Sequence, residues 1–263
     1  MFKKIVKEFN TAIKQKYTLI YLISMVALVI LANAAVVGFR LIYGDNEGTF
    51  AYNLLEYATW CFVIPYYSCI FISDIVFGPK YPSDTLPKNE SVRMYFSKLI
   101  AALMLAAVFL IAAFVCLIGI TALFQISDGG LKGYMILSFV QKMVIAIPLW
   151  FAGVCFANMC LFVFPKKRNA FIAFATIVLI IPRVIMMFAA EPFRIELFRI
   201  LRVYTITQNI SLIPYPADPA RNIPLTVGLG IIYGLFAVFA GFVIFCINDR
   251  DESRPTEKTD SNS

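Results

Sequence analysis

The sequence predicts an all-α integral membrane protein: six transmembrane helices, an N-terminal interfacial helix, and an outer re-entrant or interfacial helix before the last span. Three observations lead there. Of the 263 residues, 60% are hydrophobic and only 15% charged, whereas a soluble domain carries roughly 25% charged residues. The apolar residues are gathered into blocks long enough to cross a bilayer, which takes about 20 residues of helix. The short alternating segments of a transmembrane β-barrel are missing, so each block is read as a helix that satisfies its own backbone inside hydrocarbon.

Residues 1–17 form the first element. Phe2, Ile5, Val6, Phe9 and Ile13 recur at helical spacing, and Lys3, Lys4, Lys7 and Lys14 fall mostly elsewhere on the wheel. That pattern suits a basic amphipathic helix lying on an anionic inner surface; the plainer alternative is a basic leader that only sets topology. Together with LANAA at 31–35 the beginning of the chain imitates a secretory signal. The apolar run continues through AVVGF, which favours an uncleaved first span.

The transmembrane domain is expected over 18–247, with spans at about 18–42, 53–73, 98–124, 140–164, 169–190 and 225–247. With the N-terminus inside, fifteen of the 23 Lys and Arg residues fall in inner segments, among them the whole of the tight turn PKKRN at 165–169. The first outer loop, YGDNEGT at 43–49, has two acids and no base. The positive-inside rule therefore places both termini in the cytoplasm.

Between spans two and three lies a polar, turn-rich insert, residues 75–93. Ser83 or Asp84 can cap a short helix, Pro87 ends it, and Ser91 can cap the third span. Pro79, Pro82 and Pro87 restrict its backbone. On the other side, residues 191–213 form an outer helical segment. Pro192 suits a first turn, with Phe193, Leu197, Ile200, Leu201 and Tyr204 on one face and Arg194, Arg199 and Arg202 largely on another. SLIPYPADPARNIP, at 211–224, carries four prolines and is expected to be irregular. Residues 248–263 are expected to be a disordered cytoplasmic tail.

Ionisable groups inside a span are costly and frequently functional. Arg183 sits seven residues before the predicted outer edge, roughly 10 Å deep at helical rise, beside a Pro182 kink; its long side chain can also snorkel outward. Arg40, Glu56 and Lys142 map to outer ends, and Glu56 paired with Arg40 or Arg183 would form a charged outer vestibule on a translocation path. Asn33, Gln141 and Asn158 are expected to hydrogen-bond between helices. The NxS triplets at Asn89 and Asn209 fall on opposite sides and are read as chance matches.

Much chemistry is missing. The chain has no histidine, which removes HExxH proteases and Ser-His-Asp triads. Six cysteines inside apolar blocks match no zinc spacing and are expected to be buried free thiols. There is no GxxxxGK[ST], no GxSxG and no pair of apposed intramembrane carboxylates. The basic residues form no aromatic-interleaved face for nucleic acid. No internal repeat of the kind secondary transporters show is visible. The chain is thus expected not to be an enzyme and to bind neither metal nor cofactor itself.

Asp74, then Gly78, Leu86-Pro87 and Ser97-Lys98, set between a second and a third span, resemble the permease subunits of ABC type-2 exporters. In that family an acidic residue closes the second span, a Gly-Thr and a short cytoplasmic helix follow, and a Lys enters the third span. The order of an interfacial helix, six spans and an outer helical segment is similar too. This sequence departs at Pro79, where Thr is usual, at Asn89-Glu90, near where Ser-Arg is expected, and at Lys98, one residue late. The resemblance implies an ATPase-coupling element made of Gly78, Pro82, Ser83, Asp84, Thr85, Leu86 and Pro87. It further implies a cytoplasmic ABC ATPase subunit that uses ATP and magnesium, a second permease chain, and the cell membrane of a bacterium.

The expected function is therefore a permease that forms the path of an ATP-driven exporter. Few polar groups in the spans and abundant Phe, Met and Leu suit an amphipathic or hydrophobic cargo, a peptide or a drug-like molecule. The alternatives are a non-transporting accessory or sensor subunit and, disfavoured by the lack of central acidic residues, an ion-coupled secondary transporter.

Overall fold

The computed structural model describes residues 2–43, 55, 57–78, 88–124, 131–164, 166–191, 193–216 and 218–252, with side chains at 39–43, 88–91 and 248–252 excepted. Of the described residues 90% are helical and none is in a strand. The helices are α1 (Phe2–Ile13), α2 (Lys16–Tyr43), α3 (Val63–Phe77), α4 (Lys88–Phe124), α5 (Gly133–Val163), α6 (Lys167–Ala189), α7 (Glu196–Val203), α8 (Ile206–Leu212) and α9 (Pro219–Glu252). Five of them, α2, α4, α5, α6 and α9, are long and apolar enough to cross a membrane.

The second predicted span is the exception. α3 has 15 residues, about 22 Å at helical rise, short of a bilayer core of about 30 Å. A helical turn at 57–60 precedes it, and Cys61 and Phe62 interrupt the two. Pro65 accounts for the break, because it has no N–H to give the Cys61 carbonyl and its ring crowds that group. Ile64 N donates to Cys61 O instead (2.9 Å), a tighter turn, and the Trp150 indole on α5 donates to Phe62 O (2.9 Å).

α1 is amphipathic as expected, yet its apolar face is partly on protein. Ile5 and Ala12 are buried and Phe9 packs on the core, while Phe2 and Ile13 are exposed. At its end the Thr18 hydroxyl donates to Ala12 O (2.6 Å) and fixes the angle between α1 and α2.

α5 is the centre of the bundle and packs against α9, α3, α4 and α6. Close approach comes from glycines. An added Cβ at Gly153 would lie 2.7 Å from the Tyr66 ring, and at Gly230 of α9 2.5 Å from the Pro148 carbonyl carbon. Gly230, Gly234, Ala237 and Gly241 are spaced at four, three and four residues, so one small-residue stripe of α9 faces α5. The stripe ends where the Tyr95 hydroxyl of α4 fills the notch at Gly241 and donates to Val238 O (3.0 Å). Around Tyr95 stand Phe96, Phe162, Phe242 and Phe245, with ring centroids 4.8–6.3 Å from its own.

Several boundaries differ from expectation. α4 begins at Lys88, ten residues ahead of the apolar block, so Ser91 lies within its first turn and not before it. α9 begins at Pro219, inside the stretch expected to be irregular. A proline at the first position lacks only an N–H with no partner to lose, and Asn222 N donates to Asp218 O (2.8 Å) to start the ladder. The outer helical segment is two short helices, and Arg194 lies ahead of both at φ 43, a left-handed turn; Pro192 falls outside the described residues. In α6 the irregularity is a π-helical turn at Thr176–Ile180, just ahead of Pro182. Asn33 donates to Val29 O of its own helix (2.9 Å), and Gln141 is exposed. Asn158 is fully buried. Of the free cysteines Cys69, Cys155 and Cys160 are buried, but Cys61 is exposed, because it lies in the turn that Pro65 forces.

Candidate functional site at the α1 end of the bundle

The last four carbonyls of a helix have no partner within it. At the end of α3 all four are satisfied, three of them by side chains from elsewhere. Gly78 N donates to Asp74 O (2.9 Å), a closure that uses φ 70 at Gly78, where a side chain would be strained. The Gln15 amide, from the α1–α2 connection, donates to Ile75 O (2.8 Å). The Lys98 ammonium of α4 donates to Val76 O (3.1 Å) and Phe77 O (3.4 Å) and lies 5.2 Å from the Phe77 ring centroid.

Lys98 is buried and also meets Glu8 of α1 (3.4 Å). A cation here is favoured three ways: by the negative end of the α3 dipole, by two carbonyls and by a carboxylate. The Asp74 side chain points elsewhere, to Lys167 at the start of α6 (2.6 Å), and both groups are about one-third exposed. α1, the α1–α2 connection, α4 and α6 thus all grip the point at which the chain leaves α3 for residues 79–87.

Two cavities open beside this clamp. A groove of about 700 Å³ is lined by Gln15, Tyr17, Ser24, Phe71, Asp74 and Lys167. Further along the bundle an apolar cavity of about 220 Å³ lies between α2, α3, α4 and α5, with Met25, Cys69, Ala106, Phe109 and Trp150 in its wall. Tyr21 borders both and donates its hydroxyl to Ser68 (3.0 Å). The larger groove thus carries charged groups, and the smaller cavity is lined almost wholly by apolar ones.

Of the residues expected to couple to an ATPase, Gly78 is at the clamp. Pro82, Ser83, Asp84, Thr85, Leu86 and Pro87 lie outside the described residues. For the outer vestibule, Glu56 and the Arg40 side chain also lie outside them, and Arg183 is exposed on α6 with no ion pair among the described residues. Among those residues no three His, Cys, Asp or Glu side chains gather to hold a metal ion.

Sequence pattern assigns no role to Glu8 or Gln15, uses Lys167 only for topology, and places Lys98 at the entry to the third span. One signal was available: Glu8 is the only acid in residues 1–16, so a partner was to be expected. Comparison of the chain with protein families and with curated proteins finds no match.

Proposed function

We propose that this chain is the membrane-spanning permease subunit of an ABC type-2 exporter. A separate cytoplasmic ATPase subunit would drive it, and a second permease chain would complete the path. In this reading the broken helix over 57–77 is the second of six spans, α1 lies in the cytoplasmic interface, and both termini face the cytoplasm of a bacterial cell. Residues 79–87 are the surface on which the ATPase pushes.

The observation that carries the reading is the clamp at the end of α3. A displacement of residues 79–87 reaches Lys98, Glu8, Gln15 and Lys167 at once, so it is delivered to four elements and not absorbed in a loop. The groove and cavity beside the clamp suit an amphipathic cargo with one polar end. Its removal from water into the apolar wall would supply the binding energy, at about 25 cal/mol per Å².

The test is co-purification with the candidate ATPase, followed by ATP hydrolysis in lipid across a panel of amphipathic peptides and lipophilic drugs. Asp84→Ala with Leu86→Ala is expected to abolish cargo-stimulated hydrolysis while the permease itself stays folded. If association and stimulation both survive these changes, residues 79–87 are not the coupling element.

A further inference from the structure

Residues 191–224 contain four arginines and no lysine. If they face outward they run against the positive-inside rule, so their retention calls for a reason. Two are matched locally: Arg194 with Glu191, and Arg199 with Glu196 (2.8 Å). Arg202 donates through Nε to Gln208 (3.1 Å), a neutral partner, and has no acid beside it among the described residues. The Arg221 side chain, in the first turn of α9, makes neither a hydrogen bond nor an ion pair among the described residues.

Arg199, Arg202 and Arg221 line one cavity of about 440 Å³, together with Gln208, Asn222 and Asp218. Leu212 and Leu225 are among the apolar residues of its wall. Arg199 keeps its own carboxylate, Glu196, so Arg202 and Arg221 are the two guanidinium groups left to share Asp218 there. Like charges gathered this way repel unless an anion joins them.

The cavity is also firmly built. Asn209 donates to Val203 O (2.8 Å) and Thr205 O (2.9 Å) and accepts from Thr226 of α9 (3.2 Å), while Tyr233 of α9 donates to Tyr204 O (2.9 Å). α7, α8 and α9 are thereby held in one arrangement around the arginines. All the cations are arginine, the side chain whose planar fork binds oxyanions through paired hydrogen bonds. One fork satisfies the two oxygens of a carboxylate. Guanidinium groups from two separate elements fit a tetrahedral group better.

We propose that this cavity is a binding site for a phosphate oxyanion, free in solution or carried on a lipid headgroup. It stands apart from the transport reading and does not depend on it. The test uses the full chain with two probes. Inorganic phosphate is titrated into protein in detergent by calorimetry, and retention of phosphatidylglycerol is measured by native mass spectrometry from phosphatidylcholine nanodiscs doped with it.

Wild type is expected to bind at least one probe above a chloride control. Arg202→Gln with Arg221→Gln should weaken that binding about tenfold or more. Asp218→Asn should tighten it several-fold, a gain that a misfolded chain cannot produce. Arg194→Gln, outside the cavity, should leave it unchanged. Loss in the calorimetric arm identifies free phosphate, and loss in the nanodisc arm identifies a lipid headgroup. Absence of binding in both arms, or binding that survives the double substitution, overturns the proposal.

Discussion

α5 and α2 are both long apolar helices of comparable hydrophobicity. Yet 67% of the apolar membrane-length stretch of α5 is buried within the chain, against 11% for that of α2. Hydrophobicity selects segments for a bilayer but does not decide which of them pack together, since lipid tails are as apolar as leucine. Packing is decided by shape. α5 meets the glycines of α9 and holds Gly153 against Tyr66, so backbones approach closely. The one glycine of α2, Gly38, has nothing within 4 Å of where its Cβ would be. Among the described residues the polar ties to α2 and the connection before it, from Gln15, Thr18 and Tyr21, gather at its first turns. One helix is locked along its length; the other has its polar ties at one end, packs on α4, and further along buries only Val29 and Asn33 of its described side chains.

The strongest test of this contrast inserts bulk into the locked interface. Gly230→Val brings a branched side chain against the Pro148 backbone, which cannot rotate out of the way. A loss of roughly 3 kcal/mol in unfolding in detergent is expected. Gly234→Ala should cost less, because the atoms its Cβ would meet at 2.3 and 2.5 Å belong to the Phe151 ring, which can turn. Gly38→Ala should be neutral or stabilising by about 0.5–1 kcal/mol, as for glycine in any open helix. Equal losses at Gly230 and Gly38 would erase the distinction.

The tethered end is tested next. Lys98→Met keeps the length and the apolar stem but leaves Val76 O, Phe77 O and Glu8 without their cation. The expected loss is about 2 kcal/mol, the scale of hydrogen bonds to a charged group. The location of the effect matters more than its size. Amide exchange should rise in α1 and in the last turn of α3, and remain unchanged where α5 meets α9. Uniform acceleration along α5 and α9 would show that the clamp and the interior are one cooperative unit.

These two regions also differ in how legible they were. The five long helices follow from block length alone, and the small-residue stripe of α9 was in plain view as Gly230-x-x-x-Gly234. The clamp was hidden, because its hydrogen bonds join residues far apart in the chain: Gln15 to Ile75 across 60 positions and Lys98 to Glu8 across 90. Local pattern carries no record of such pairs. The start of α4 was misplaced for a different reason. Residues 88–97 are too polar for a span, but Lys, Glu, Arg and Met are good helix formers, so the helix runs on beyond the apolar block. Pro65 was legible as a breaker; that its freed carbonyls would be met by the turn and by Trp150 was not.

The smallest expected effect lies at the edge of the clamp. Asp74 and Lys167 are each about one-third exposed, so their ion pair is screened and is worth less than 1 kcal/mol. Asp74→Asn should therefore barely move the unfolding transition, and the difference should shrink further in high salt. If the pair matters, it is by holding α6 in register with the end of α3, across the mouth of the larger groove. That predicts a division between two readouts. In a Cys61→Ser background, Asp74→Lys alone should push α6 from the end of α3 by repulsion from Lys167 and raise the rate at which a polar, thiol-specific probe labels a cysteine placed at Ser24 in the groove wall, with stability nearly constant. Adding Lys167→Asp should restore the wild-type labelling rate. If labelling is the same in all three proteins, the pair is a surface contact only, and α6 is positioned by its packing against α5.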